Sequence, residues 1–573
     1  MITNHSAVGD SIRRETFFAL LLAIAAALAV YLNGRSIGGP FIFGDELEYF
    51  SYGRDIFTGA SLASHTQYGP LYPAIIALIL NLGDAERAYG TLRIFNIAAF
   101  ASWVIPALLL ARESFAGNDT MRLLFPAIVV SMPFSGLSYI GWADTVHYAL
   151  FLWAAYLLWI FFREPRIARG VLAGVVVGML FHSKPGAGLV TAIAAMAAAL
   201  AILIAPASQR RVHTPAVAAF AVALLAVVVP GAVRNMMVGL GITGYSHGSV
   251  VGSRIATVGN VQFAREVFSS LFYQLTYVFV VSYGLLCVLA VVPLARWQAL
   301  PREVRGSVIF VSLCMTGISV LSAVGMSAFP GLAYWMPAGR YLSVTTPLVI
   351  LLGLHLLRHP SSAHERWGIA LAAVLLGALA ARTSPLFMLA PYGFVNNTEM
   401  AIFNTIFDRG HVMWRHLYEA STIQLVGVAA CFGAFGVGWA LLWPRRAAVS
   451  ALAALLFAWN VVSSMAEHRY VGILGESQTA LNESIRYLAR SAARPGRDVA
   501  FDKKMEGGNV PFMSGYWLGS TEVKYLEVAP ATLPTAATFS GRYLVSGQLL
   551  GLPVAFRAGN VFVYSLAAPP ARP

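Results

Sequence analysis

The feature that most limits how this chain can fold is a succession of apolar runs, each long enough to cross a bilayer. A hydrocarbon core of about 30 Å needs roughly 20 apolar residues per helix. Such runs fall near 16–33, 94–111, 122–138, 146–162, 170–183, 187–205, 215–233, 271–295, 306–328, 341–357, 367–382, 421–443 and 447–465, so thirteen spans are expected. Composition agrees, with 58% hydrophobic and 11% charged residues over 573 positions, against roughly 25% charged in a soluble domain. The fold class expected is an α-helical polytopic membrane protein.

The net charge of +13 is no polyanion site. The chain has only four lysines, Lys184, Lys503, Lys504 and Lys524, and its arginines stand in short clusters between apolar runs. With a cytoplasmic N-terminus, the inside segments carry Arg13, Arg14, Arg112, Arg122, Arg163, Arg166, Arg169, Arg210, Arg211, Arg296, Arg302, Arg305, Arg358, Arg366, Arg445 and Arg446. That distribution is the positive-inside signature of topology, so membrane lipids are partners and nucleic acid is not. The first apolar run lacks a small-residue cleavage pattern before "NGRSIGGP" and reads as a retained anchor. Cys287, Cys314 and Cys431 lie inside apolar runs without paired or metal-ligand spacing and read as inert core residues.

An odd number of spans leaves the C-terminus outside. Composition changes near 466, dividing a membrane module (1–465) from a small external α/β domain (466–573). In the latter, "TALNESIRYLARSA" reads as helix and "DVAFD", "VKYLEV", "RYLVSG" and "NVFVYSL" as strands. Three further outside segments are long: 34–93, 234–270 and 383–420. Loops of that length carry structure or function. There is no internal repeat, Walker P-loop or dinucleotide fingerprint, which argues against ATP-driven transport by this chain alone.

The first outside segment opens with "GDELEYF", where Asp45 and Glu48 have the spacing of a capping box and predict a surface helix over 46–57. Lys184, in "FHSKPGAG", is the only lysine of the membrane part. It is either a phosphate ligand or a snorkelling helix-end residue, and His182 beside it is either a pocket residue or a satisfied core histidine. Arg93 in "LRIFN" is open in the same way between phosphate binding and anchoring. Asp144 and His147 either line a pocket or keep a short loop wet. The stretch 397–416 mixes acids, histidines and arginines without metal-ligand spacing; it reads as a surface helix or lid. No cofactor is implied, and a divalent metal, though possible chemically, has no support in the spacing.

In order along the chain, an apolar first helix, "GDELEY", "GPLYP" and "LRIFN" resemble the GT-C superfamily of polyprenyl-phosphate-sugar-dependent glycosyltransferases. Within it the resemblance is to the branch of protein O-mannosyltransferases and lipid A aminoarabinose and galacturonosyl transferases. "SYIGWADTVHYALFLWAAYLLW" and "AGRYLSVTTPLVILLG" are similar to two later motifs of that family. The resemblance implies a catalytic carboxylate at Asp45 facing the exterior, with Glu46 either dividing the acid–base work or supporting it. It implies a donor-phosphate role for Arg340, assisted by Tyr341, beside the candidates Lys184 and Arg93. A sugar or acceptor pocket would then draw on Tyr68, Asp144, His147 and His182. A carboxylate base suits transfer from a lipid phosphate to a hydroxyl, because the acceptor must lose a proton while the leaving group is already an anion. One departure is Tyr68-Gly69-Pro70, where the aminoarabinose branch has a Glu-Lys pair before the proline; that weakens any transfer of its metal or lysine ligand to this chain.

The function implied is an inverting glycosyltransferase using a polyprenyl-phosphate sugar and an acceptor lipid, glycan or protein, in a bacterial inner membrane with the C-terminal domain periplasmic or extracellular. Two other classes stay open. A flippase for lipid-linked sugars predicts inverted repeats; a pyrophosphate-linked oligosaccharide ligase predicts a denser arginine cluster than the Arg234, Arg254 and Arg265 of 234–270.

Overall fold

The computed structural model describes residues 5–35, 44–60, 68–81, 85–132, 138, 141, 143–204, 207–237, 242, 247–282, 284–328, 339–358, 362–388, 446–491, 493, 498–505, 510–518, 523–528 and 541–566. They form an integral membrane protein of mainly helical fold with a small C-terminal sheet. The membrane part begins with α1 (His5–Gly34), α2 (Gly44–Thr58), α3 (Leu71–Leu80), α4 (Ala85–Ala101), α5 (Val104–Ser114), α6 (Asp119–Val130) and α7 (Asp144–Arg163). It continues with α8 (Ile167–Ser183), α9 (Pro185–Ala201), α10 (Ala207–Met237), α11 (His247–Val258), α12 (Asn260–Val281), α13 (Leu285–Arg296) and α14 (Arg302–Ala328). The short α15 (Gly339–Leu342), then α16 (Thr346–Leu357) and α17 (Ala363–Met388), precede a 45-residue helix, α18 (Arg446–Arg490).

Among the described residues six helical stretches are long and apolar enough to cross a membrane: Arg13–Gly34, Glu86–Ser114, Asp144–Arg163, Pro185–Ile204, Gln209–Met237 and Arg302–Ala328. Others of the thirteen expected runs are shorter apolar helices, such as Ile167–Ser183 and Thr346–Leu357. The run expected at 271–295 is divided between two helices. Helix α12 ends at Val281 and α13 starts at Leu285, with Gly284 between them at φ 76°, a left-handed conformation that glycine adopts without strain. An apolar window sees no such break, because every residue around it is still apolar or small. The expected run 421–443 and the stretch 397–416 lie outside the described residues, as does most of 383–420.

Close helix contact is written into α8. Gly170, Gly174 and Gly178 recur every four residues, and a Cβ on the first two would stand 2.4 Å from the backbone oxygens of Ala216 and Phe220. Small residues at this spacing let two membrane helices meet backbone to backbone, here α8 with α10. The arginine clusters gather at one end of the bundle. Glu15 on α1 is buried between Arg112 (2.6 Å) and Arg122 (3.1 Å), Arg163 pairs with Glu113, and Arg358 donates to the carbonyls of Ser114 and Ala116. Helix α7 runs about 30 Å from Arg163 at this end to Asp144 at the other.

The C-terminal sheet has strand order β2-β1-β3-β5-β4, built from β1 (Val499–Asp502), β2 (Lys524–Leu526), β3 (Tyr543–Ser546), β4 (Val554–Ala558) and β5 (Val561–Ser565). β1 is parallel to β2 and β3, and β5 is antiparallel to β3 and β4. All four strand segments read from the sequence are present; β4 is additional. Every residue of β1 is buried. The end of α18 and helix α19 (Val510–Leu518) cover one face, with Ile485, Leu488, Val510 and Met513 packed on Val499, Phe501 and Val563. Helix α18 passes residue 466 without interruption.

Candidate active site

Helix α2 starts at Gly44, earlier than the capping-box spacing predicts, so Asp45 stands inside the first turn instead of ahead of it. Glu48 is exposed, and Glu46 is buried (1% exposed). The Glu46 Oε1 accepts a hydrogen bond from the Tyr89 hydroxyl (3.0 Å) and another from the Gly141 backbone N–H (2.7 Å). The carboxylate thus joins α2 to α4 and to the segment before α7. The approach is close: a Cβ at residue 141 would stand 2.6 Å from Oε1, so a larger residue there would displace the Glu46 carboxylate.

Three residues beyond Gly141, Asp144 begins α7 and forms a buried ion pair with Lys184. Lys184 occupies the single non-helical position between α8 and α9, where Pro185 restarts the chain as a helix. Its ammonium also lies 4.5 Å from the centroid of the Tyr341 ring, a favourable cation–π distance. Asp144 takes one of three ammonium donors. Tyr72, with its hydroxyl on Asn96 (3.1 Å), lies within electrostatic reach of both Glu46 and Asp144.

His147, one turn along α7, shares this face. Ser183 donates its hydroxyl hydrogen to the Leu180 carbonyl (2.9 Å), so its oxygen accepts from His147 Nδ1–H at 2.7 Å. That network assigns the Nδ1-protonated tautomer to neutral His147. Its Nε2 is left as a bare acceptor, buried and without a hydrogen-bond partner among the described residues. A buried acceptor of this kind costs free energy until a donor reaches it.

The loop 68–70 closes onto the same place. A Cβ on Gly69 would stand 2.1 Å from the His182 carbonyl oxygen, and Tyr68 meets Tyr49 edge-on at 4.7 Å. Positions 45, 49 and 52 share a face of α2 by helical phase. Along it Tyr49 also meets Tyr72 (5.2 Å), and Tyr52 carries the Arg234 guanidinium 5.6 Å from its ring centroid. Burial pushes the Tyr52 phenol above its ordinary range, against the opposing pull of Arg234.

Two sequence candidates are occupied in joining helices. Arg93 donates to the Gly34 carbonyl at the end of α1 (2.7 Å) and stands over the Tyr89 ring. His182 Nε2–H donates to the Val227 carbonyl (2.7 Å), tying α8 to α10. Arg340 falls in α15 next to Tyr341. Tyr89, Gly141, Ser183 and Tyr52 are not singled out by sequence, and Arg234 enters there only in the arginine set of 234–270. Their partners lie tens of residues away, and no local pattern announces them. Among the described residues no three His, Cys, Asp or Glu side chains gather as metal ligands.

No protein-family model matches the chain, and no curated protein matches it. Among solved structures it is similar to ArnT from Cupriavidus metallidurans bound to undecaprenyl phosphate, with TM-score 0.47 and 15% identity over 96% of this chain and 98% of that one. It is similar also to ArnT in the apo state (0.45, 14%, covering 96% and 99%). A third likeness is to the arabinosyltransferase EmbB from Mycobacterium smegmatis (0.42, 15%, covering 78% of this chain and 41% of that one). These likenesses assign no residue and no reaction to this chain.

Proposed function

We propose that the protein is an inverting glycosyltransferase that moves a sugar from a polyprenyl phosphate to an acceptor hydroxyl at the outer face of a bacterial inner membrane. The observation that supports this best is the continuity of one polar chain. Glu46 is bonded to Gly141, three residues from Asp144, and Asp144 is paired with Lys184. Thus the acid-rich start of α2 and a buried cation meet at the end of the bundle opposite the arginine clusters.

In this reading Asp45 accepts the proton of the acceptor hydroxyl as its oxygen bonds to the anomeric carbon and the carbon–phosphate oxygen bond breaks. A single displacement inverts the centre. The polyprenyl phosphate departs as an anion, and Lys184 offers its remaining donors to the phosphate oxygens. Arg340 supplies a second cation, while Tyr341 packs against Lys184. His147 Nε2 accepts a hydrogen bond from a sugar hydroxyl. Glu46 is a scaffold: its Oε1 is held by two protein donors, the Tyr89 hydroxyl and the Gly141 N–H. The external division at 466–573 faces the same compartment as the site.

The test is Asp45→Asn in membranes supplied with polyprenyl-phosphate sugars. Transfer is expected to fall by about a hundredfold or more, in the range of a lost general base. Undiminished transfer by the folded variant overturns the role of Asp45.

A further inference from the structure

We infer that Tyr89 is a positioning residue for the base and that the C-terminal domain holds it in place through Tyr516. This rests on the proposed reading of Asp45.

Helix α2 has 15 residues, near the length at which isolated helices are marginal in water, so its placement must come from contacts. The contact next to Asp45 is the Glu46 carboxylate, gripped by Tyr89 and Gly141. Gly141 gives a backbone donor; Tyr89 gives a hydroxyl on a ring that must itself be held. Its neighbours are Phe50 (6.0 Å between centroids), the Arg93 guanidinium (5.5 Å) and Tyr516 (5.8 Å). Only the last comes from the C-terminal domain.

Tyr516 is 3% exposed and meets Phe50 edge-on at 4.8 Å, so it touches α2 and α4 together. It belongs to α19, whose Val510 and Met513 are core residues of the sheet domain. A second grip lies one turn away: Arg486 and Arg490 of α18 both pair with Glu86, three residues before Tyr89 on α4. The domain therefore holds α4 at two adjacent points on one face, and one of them carries the hydroxyl that fixes Glu46. Misplacement of a reacting group by about 1 Å is enough to cost on the order of a hundredfold in rate.

The experiment measures kcat and donor KM for the full-length membrane protein and for Asp45→Asn, Tyr89→Phe, Tyr516→Phe, Tyr516→Ala and the double variant Tyr89→Phe/Tyr516→Ala. Tyr89→Phe removes one hydroxyl and is expected to lower kcat about tenfold with donor KM unchanged. Tyr516→Ala should match that loss, Tyr516→Phe should restore wild-type turnover, and the double variant should be no worse than either single, because the two act through one carboxylate. Multiplicative losses in the double variant, an effect confined to KM, or wild-type kcat in Tyr516→Ala overturn the inference. If Tyr516→Ala does not fold, Tyr89→Phe decides, and wild-type kcat there overturns it. An inactive Asp45→Asn beside a fully active Tyr89→Phe sinks this inference alone; an active Asp45→Asn sinks the reading on which it rests.

Discussion

Lys184 and Asp144 carry opposite charges at the ends of two helices, each side chain about nine-tenths buried. Removing one partner leaves a charge with no water to solvate it, which costs about 3–5 kcal/mol. Asp144→Asn is therefore expected to lower the detergent-solution thermal midpoint sharply, while Asp144→Asn/Lys184→Met recovers most of the loss. Gly69 has a purely steric role. A methyl group there meets the His182 carbonyl at 2.1 Å, and backbone cannot swing aside as a side chain can. Gly69→Ala should lower the midpoint by as much as a large core substitution, about 2 kcal/mol or more, and reduce transfer with it. Several of these residues were legible in the sequence as types: a lone lysine, an acid and a histidine at a helix start. Their pairing was not, because Asp144 and Lys184 are forty residues apart. His182 and Arg93 show the converse, since a charged or titratable residue near the site is also what joins one helix to the next.

Among the elements, α17 shows what a complete helix start looks like. The Ser362 N–H donates to Glu365 Oε2 (2.8 Å), and the Glu365 N–H donates back to Ser362 Oγ (3.2 Å), which is a reciprocal capping box. Asp45 and Glu48 share this spacing, but it is "SAHE", Ser362 to Glu365, that forms both reciprocal bonds at a helix start. The hydrogen bond from Arg296 holds the Glu365 carboxyl below its ordinary range, opposed by burial and aided by the Ser362 amide. A depressed carboxyl contributes stability above its unfolded value, about pH 4.3, and that contribution disappears as pH falls through the lower folded value. Glu365→Gln should thus be less stable than wild type at neutral pH, with the gap holding down to about pH 4.3 and closing as thermal midpoints are followed below it. Apolar periodicity located most helices. It missed the break between α12 and α13 because the residues flanking Gly284 are apolar or small.

For the whole molecule, the two ends of the bundle differ in kind: guanidinium–carboxylate pairs at one, and the Glu46, Asp144 and Lys184 cluster with the sheet domain at the other. Proteins of this charge asymmetry orient with the arginine end inward. Single cysteines at the exposed positions 166 and 524, in a background carrying Cys431→Ala, should react with an impermeant maleimide on opposite sides. Position 524 is expected to label in intact cells and position 166 only after permeabilisation. The thiols of Cys287 and Cys314 are buried and should stay unlabelled.

Helix α18 gives this arrangement a property of its own. It extends about 67 Å without a break, from the arginine end to the sheet domain. Such a rod fixes rotation as well as height. One alanine inserted near residue 475 turns everything beyond it by about 100° and lifts it about 1.5 Å, which carries Arg486 and Arg490 away from Glu86. Seven inserted residues, close to two full turns, restore the angle but not the height. The azimuth of the sheet domain is thus set by counting residues along a single helix.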